Sequence, residues 1–145
     1  MNLASLLRAL SAPEIQNARD IEITRITADS RQVIPGALFV AIPGVNVDGA
    51  RFIPDAIQGG AVTIVTESPI PNSQFPIIRV PDSRAALAHL CAAWHDFPSR
   101  KLRVIGVTGT DGKTTTCTLI AAILSAAGHS VGAITTVAAT IGDQT

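Results

Sequence analysis

Two uninterrupted apolar segments constrain the fold of this chain more than any other feature. Residues 38–42 are entirely apolar, and residues 61–66 are apolar apart from two threonines. Gly36 and Pro43 bound the first segment, and Gly60 precedes the second. Short apolar runs between such residues are typical of strands buried on both faces, which occur in parallel sheets covered by helices. The chain is therefore predicted to be an α/β protein.

Helical and strand-like patterns alternate along the rest of the chain, which favours parallel pairing of the strands. One predicted helix begins at Asp82 or Ser83, either of which can cap it. Pro98 and Ser99 follow that helix as a predicted linker, so two domains are expected, residues 1–98 and 99–145. The predicted helices cover residues 2–10, 52–58, 82–97 and 113–127, and the predicted strands cover residues 21–26, 38–42, 61–66, 77–80, 102–107 and 129–136.

The composition excludes several classes of protein. Hydrophobic residues make up 47% of the chain and charged residues 15%, which excludes a disordered, self-repelling chain. Eleven Lys and Arg residues balance eleven Asp and Glu residues, so the overall charge gives no reason to expect nucleic acid or a membrane surface as a partner. The N-terminus lacks the pattern of a signal peptide, and no apolar stretch approaches the roughly 20 residues that span a bilayer. We therefore expect a soluble, cytoplasmic chain.

Residues 104–116 carry the strongest functional signal: an apolar strand pattern, a loop of glycine and threonine, and the start of a helix. A helix N-terminus presents unpaired amides and a partial positive charge, and glycines let a phosphate approach the backbone. In such a loop Lys113 can reach the outer phosphates, and the Thr114 hydroxyl can ligate Mg²⁺. The pattern predicts a nucleoside triphosphate site. The alternative is a Gly-Thr turn before an ordinary core helix.

The loop departs from the usual P-loop spacing. Val107 stands where the first glycine of G-x-x-x-x-G-K-[ST] is expected, and the glycines fall at positions 106, 109 and 112 instead. Asp111 adds a carboxylate close to the expected phosphates, which would weaken binding if it faced them. We therefore predict a variant phosphate loop in which Asp111 points outward.

Residues 108–116, T-G-T-D-G-K-T-T-T, resemble the G-T-x-G-K-T-T loop of the Mur ligases, the ATP-dependent amide-forming enzymes of peptidoglycan precursor synthesis. Upstream, several segments are similar to the N-terminal UDP-binding domain of that family: residues 29–31, 35–41, 44, 48–49, 52–57 and 59–61. The resemblance covers nearly the whole chain. The Gly-Thr start of the loop is most similar to the MurE type, the UDP-N-acetylmuramoyl-tripeptide synthetases, whereas the MurF type more often has Gly-Ser.

The resemblance implies an N-terminal UDP-binding domain followed by the first strand–P-loop–helix–strand unit of a parallel-sheet ATPase domain. It implies ATP and Mg²⁺ as cofactors, with Lys113 as the catalytic residue and Thr114 as the metal ligand. The implied ATP-binding residues are Gly109, Thr110, Asp111, Gly112, Lys113, Thr114 and Thr115. The implied UDP-binding residues are Ala28, Ser30, Val45, Asn46 and Val47, of which the last three would line the uracil side. Considered without the resemblance, Ser30 is better explained as a turn-capping serine, and Asp48-Gly49 as a structural turn.

The implied reaction joins two partners, the UDP-N-acetylmuramoyl-L-alanyl-D-glutamate precursor and a diamino acid, meso-diaminopimelate or L-lysine. ATP phosphorylates the D-Glu γ-carboxylate, and the amine of the diamino acid attacks the acyl phosphate. Two alternatives stay open: a MurF-type fragment, and a non-catalytic module that binds a UDP-sugar or a nucleotide. Because residues 99–145 hold a single strand–helix–strand pattern, we expect most of the central domain and the C-terminal domain to be missing, and the chain to be inactive alone.

Overall fold

The computed structural model of the chain describes residues 1–17, 21–44, 47–70 and 73–142. The chain divides into two compact units, Met1–Leu102 and Arg103–Thr145. A short 3-10 helix, Pro98–Arg100, lies at the end of the first unit, at the position of the predicted linker. None of the helices formed by the described residues has the length and apolar character needed to span a bilayer.

The first unit is a mixed α/β structure built on one sheet. Within the described residues the sheet has five strands in the order β1-β5-β4-β3-β2, of which β2 to β5 are mutually parallel and β1 is an antiparallel edge strand. The mostly parallel sheet agrees with the predicted class. Its elements are α1 Leu3–Leu7, β1 Glu14–Gln16, β2 Arg25–Thr27, β3 Ala37–Val40, α2 Ile53–Gln58, β4 Ala61–Thr66, β5 Ile77–Arg79 and α3 Ser83–Trp94, with further 3-10 helices at Ser30–Gln32 and Gly49–Phe52.

The core of the first unit lies on both faces of the sheet because successive strand residues point to opposite sides. Leu38 and Val40 belong to the cluster that contains buried residues of α1 and α3. Phe39 belongs to the opposite cluster, together with Ile53 and Ala56 of α2. All of β3 is buried. This two-sided burial is the physical reason why residues 38–42 form an unbroken apolar run, and it confirms the prediction of a doubly covered strand.

Several predicted boundaries need correction. The first helix ends at Leu7 rather than at residue 10, and α3 ends at Trp94 rather than at residue 97. The pattern of residues 52–58 predicts Phe52 and Ile57 on the inward face of α2, yet they are 41% and 39% exposed. Only Ile53 and Ala56 of this short helix are buried, since six residues make fewer than two turns against the sheet.

The second unit contains α4 Lys113–Ala126 and two strands, β6 Gly132–Ile134 and β7 Ala139–Ile141, paired antiparallel. The prediction that residues 102–107 form a strand is wrong: within the described ranges that segment pairs with no other strand. The predicted strand over residues 129–136 is shorter than expected, and its partner is β7, not residues 102–107. An apolar run favours a strand, but a strand forms only where a neighbour supplies hydrogen bonds.

Candidate functional site

The phosphate loop predicted from the sequence leads directly into α4. Gly112 is the N-cap residue and has a left-handed conformation, with φ of +72°, which glycine adopts without steric cost. No side chain caps α4, and Lys113 is its first helical residue. The first amides of a helix have no intrahelical acceptor, so this end of α4 offers donors and a partial positive charge to an anion.

The Lys113 side chain bonds to the backbone of the loop that precedes it. Its Nζ donates hydrogen bonds to the carbonyl oxygens of Gly109 at 2.5 Å and Thr110 at 2.9 Å. The ammonium group is thereby held over the backbone that precedes α4. This arrangement keeps one positive charge beside the free amides of the helix, in the same place where a bound phosphate would need it.

The remaining predicted nucleotide residues surround this point. Thr114 is half-buried in the first turn of α4, and its carbonyl accepts a hydrogen bond from the Thr118 hydroxyl at 2.9 Å. Asp111 and Thr115 are exposed. The set fits a triphosphate with its cation: amides and an ammonium for the anion, and one hydroxyl for Mg²⁺. Among the described residues, no group of three His, Cys, Asp or Glu side chains could hold a metal by itself.

The predicted UDP residues lie in the other unit, around the carboxyl ends of adjacent strands. Ala28 and Ser30 follow β2, and Val47 belongs to the loop that follows β3. Because β2 and β3 are parallel, both segments leave the sheet at the same edge, which is the edge where ligands bind in open α/β sheets. Val45 and Asn46, predicted in the same set, lie outside the described residues.

Ser30 is the first residue of a 3-10 turn that Asp29, not Ser30, caps. The Asp29 carboxylate accepts the Arg31 amide at 3.0 Å and forms an ion pair with the Arg31 guanidinium. These hydrogen bonds from Arg31 hold the pKa of Asp29 below its usual value and raise the pKa of Arg31. The alternative that makes Ser30 the capping residue is therefore wrong. Within the described part of the chain, the half-buried Ser30 hydroxyl makes no hydrogen bond.

The loop after β3 is closed by backbone hydrogen bonds. Gly44 donates to the Val47 carbonyl at 3.0 Å, Pro43 and Asp48 form an isolated antiparallel bridge, and Gly49 donates to the Ile42 carbonyl at 3.0 Å. The Asp48 carboxylate accepts the amide of Ala50 at 2.9 Å and caps the next 3-10 helix. Asp48 and Gly49 thus have the structural role that the sequence predicts for them.

Two residues that sequence reasoning did not select, Glu67 and Arg84, also lie at this edge of the sheet. Glu67, directly after β4, accepts hydrogen bonds from the Ser83 amide and hydroxyl at 2.8 and 2.7 Å. Arg84, on the first turn of α3, donates to the Pro43 carbonyl at 3.0 Å. The available signal was positional, because polar residues that follow predicted parallel strands share one edge.

Comparison with known proteins assigns the chain to a class. The model of the "Mur ligase family, catalytic domain" matches residues 22–95, about half of the chain. This match, together with the mostly parallel sheet of the first unit, places the chain in the class of the Mur ligases. The chain belongs to the Mur ligase family.

Named relatives make this similarity more specific. The chain is 43% identical to a UDP-N-acetylmuramyl-tripeptide synthetase of Roseiflexus sp., over 99% of this chain and 29% of the relative. It is 42% identical to a UDP-N-acetylmuramoyl-L-alanyl-D-glutamate–2,6-diaminopimelate ligase of Chlorobium phaeobacteroides, with the same coverage. The crystal structure of the MurF ligase of Thermotoga maritima in complex with ADP has a TM-score of 0.57 and 34% identity, and the match covers 75% of this chain and 25% of that one. The chain thus spans less than a third of the length of these relatives.

Proposed function

We propose that this chain is part of a MurE-type ligase of peptidoglycan precursor synthesis in the cytoplasm. The ligase adds a diamino acid, meso-diaminopimelate or L-lysine, to UDP-N-acetylmuramoyl-L-alanyl-D-glutamate. The observation that carries this proposal is the identity of 42–43%, over 99% of the chain, to relatives named for tripeptide synthesis and for diaminopimelate ligation. Since the chain covers 29% of those relatives, the ligase activity belongs to a longer protein and is not expected of these residues alone.

In this proposal the second unit binds ATP. The free amides at the start of α4 and the Lys113 ammonium bind the outer phosphates, with Gly109, Thr110, Asp111, Gly112 and Thr115 forming the surrounding loop. Lys113 exchanges the carbonyls of Gly109 and Thr110 for phosphate oxygens. Thr114 would be a ligand for Mg²⁺, which when bound neutralises phosphate charge. Phosphoryl transfer depends chiefly on positioning and charge neutralisation, and these groups can supply part of both.

The first unit binds the UDP part of the precursor in the same proposal. Ala28, Ser30 and Val47 form this site at the carboxyl edge of the sheet, and the resemblance adds Val45 and Asn46, which lie outside the described residues. Two observations support it: the Ser30 hydroxyl has no partner among the described residues, and the segments carrying Ala28 and Val47 leave adjacent parallel strands at one edge. The proposed acceptor is the D-Glu γ-carboxylate, which takes the phosphoryl group. The diamino acid amine then attacks the acyl phosphate and releases phosphate.

A MurF-type ligase is the second candidate, because the Thermotoga maritima MurF structure is 34% identical to the matched part of the chain. The two candidates differ in substrate. The MurE type uses the UDP-linked dipeptide precursor, whereas the MurF type extends the tripeptide product.

Two chimeras test this choice. Residues 1–145 replace the corresponding N-terminal part of the Chlorobium phaeobacteroides ligase in one chimera, and that of the Thermotoga maritima MurF ligase in the other. Phosphate release is measured with the dipeptide precursor plus diaminopimelate, and with the tripeptide precursor plus D-alanyl-D-alanine. We expect turnover of the first chimera on the dipeptide precursor, and loss of that turnover with Lys113→Ala. Turnover by the MurF chimera alone would show the MurF assignment to be correct.

The third candidate, a non-catalytic binding module, predicts binding without chemistry in every context. The isolated chain should bind UDP and Mg-ATP but release no phosphate with any precursor. Two inactive chimeras together with a chain that binds UDP would favour this candidate over both ligases.

A further inference from the structure

Arg84 links α3 to the loop that follows β3. Its Nη2 donates a hydrogen bond to the Pro43 carbonyl oxygen at 3.0 Å, between residues 41 positions apart in the sequence. Pro43 lies at the base of the loop, next to the Gly44–Val47 hydrogen bond and within the bridge to Asp48. The Arg84 guanidinium therefore links α3 to the backbone at the start of this loop.

The first turn of α3 is itself firmly anchored. Asp82 caps the helix by accepting the Ala85 amide at 2.9 Å. The fully buried Ser83 donates both its amide and its hydroxyl to one oxygen of Glu67, at 2.8 and 2.7 Å. Glu67 follows β4 directly, so the turn that carries Arg84 is fixed to the centre of the sheet. A side chain projecting from such a turn holds its partner in a defined place.

We propose that Arg84 is a positioning residue for uridine nucleotide binding: it holds Pro43 and Gly44, and through the Gly44–Val47 hydrogen bond also Val47, in place for the uridine. This inference rests on the proposed UDP-binding function of the first unit. The hydrogen bond goes to a backbone carbonyl, and a charged donor makes a stronger bond to a carbonyl than a neutral one does. Arg84 thus acts through the loop backbone and not through attraction to phosphate.

Arg51 provides a matched control for charge. It lies in the 3-10 helix directly after the same loop and is exposed. Within the described residues its side chain makes no hydrogen bond or ion pair. Removing Arg51 deletes the same charge near the loop without deleting a bond to it, so the pair Arg84→Ala and Arg51→Ala separates positioning from general electrostatics.

The first measurement needs no ligand. Amide chemical shifts of the 145-residue chain are compared for the parent, Arg84→Ala, Arg84→Lys and Arg51→Ala. The amides of Gly44 and Val47 should move in Arg84→Ala, return toward the parent positions in Arg84→Lys, and stay close to the parent in Arg51→Ala. Unmoved Gly44 and Val47 amides in Arg84→Ala would overturn the proposal, because the loop would then hold its shape without Arg84.

The second measurement is the affinity of the same four proteins for UDP and for uridine. Arg84→Ala should weaken both by about tenfold, the effect of one hydrogen bond from a charged donor, and Arg84→Lys should recover most of it. Arg51→Ala should bind uridine like the parent. A loss confined to UDP would mean direct phosphate contact and would overturn the positioning role, as would equal losses in Arg84→Ala and Arg51→Ala. If the parent chain binds neither compound, the UDP-binding proposal itself is wrong, and this is known before any substitution is compared.

Discussion

The backbone of Gly49 lies directly against the backbone of Ile42. The Gly49 amide donates to the Ile42 carbonyl at 3.0 Å, and a Cβ added at Gly49 would lie 2.5 Å from that oxygen and 2.6 Å from the Ile42 nitrogen. Both neighbouring atoms belong to the main chain and cannot rotate away. The contact closes the base of the loop that contains Val47, so the loop requires glycine at this position.

Gly49→Ala should therefore lower the free energy of unfolding by about 2 kcal/mol, the usual cost of overpacking against backbone. Gly59→Ala is the control in the same unit, since the nearest neighbour of its added Cβ would be the Val33 side chain at 3.2 Å and not backbone atoms at 2.5–2.6 Å. That variant should lose less than about 1 kcal/mol, because a compatible Gly→Ala change also restricts the unfolded chain. Chemical denaturation measures both, and equal losses would contradict the backbone contact.

Lys113→Ala should abolish the binding of Mg-ATP to this chain. The ammonium that bonds to the Gly109 and Thr110 carbonyls is the side-chain charge available to the phosphates beside the start of α4. Lys101→Ala is the natural control, since Lys101 is the chain's other lysine and pairs with Asp96 at the end of the first unit. Calorimetric titration with Mg-ATP should show weak binding to the parent and to Lys101→Ala. Binding retained by Lys113→Ala would contradict the assignment.

The Asp29 carboxyl should titrate below its ordinary pKa of 3.8, because Arg31 donates hydrogen bonds to the charged form. The stabilisation from this pair is complete above the unfolded-state value and is lost as the pH falls through the lower folded-state pKa. Carbon-13 NMR of the carboxyl group from pH 6 downward measures the midpoint. Arg31→Ala should move that midpoint up toward 3.8, whereas Arg51→Ala should leave it in place. If the titration midpoint of Asp29 is the same in Arg31→Ala as in the parent, the ion pair does not form in solution.

Leu90→Ala and Leu119→Ala make the same chemical change in two different environments. Leu90 of α3 is fully buried in the first unit, and Leu119 of α4 is 58% exposed. The first substitution should cost about 2–5 kcal/mol through lost burial and a new cavity, and the second less than about 0.5 kcal/mol. Thermal unfolding of both variants gives the comparison, and similar losses would mean that α4 is packed as tightly as α3.

The sequence predicts most reliably the elements whose burial leaves a local pattern. β4 occupies the predicted residues 61–66, because both of its faces are covered and its turn residues mark the start. Asp82 is one of the two predicted caps of α3. β1 is absent from the prediction because all three of its residues are exposed and its partner β5 is more than sixty positions away. Residues 102–107 show the opposite case: the apolar run is present, but no strand among the described residues pairs with it.

The candidate site likewise contains residues that the sequence predicts and residues that it does not. The order of glycines, Lys113 and Thr114 predicts both the loop and the start of α4, because that chemistry is local. Arg84 and Glu67 act on residues 41 and 16 positions away, and such contacts follow from the sheet topology and not from spacing in the sequence. Similarly, the capping role of Asp29 beside Ser30 becomes visible only when the geometry of the turn is known.

The pairing of β1 with β5 sets the order in which the sheet can be completed during synthesis. A nascent chain grows from its N-terminus at roughly 5–20 residues per second, so β1 leaves the ribosome first. Its register partners, Ile77 to Arg79, emerge last among the strands of this sheet. β2, β3 and β4 can pair in turn as each appears, since each joins the strand before it. β1, the first of these strands to be synthesised, is therefore the last to find its partner. Residues 14–16 stay unpaired until β5 has emerged.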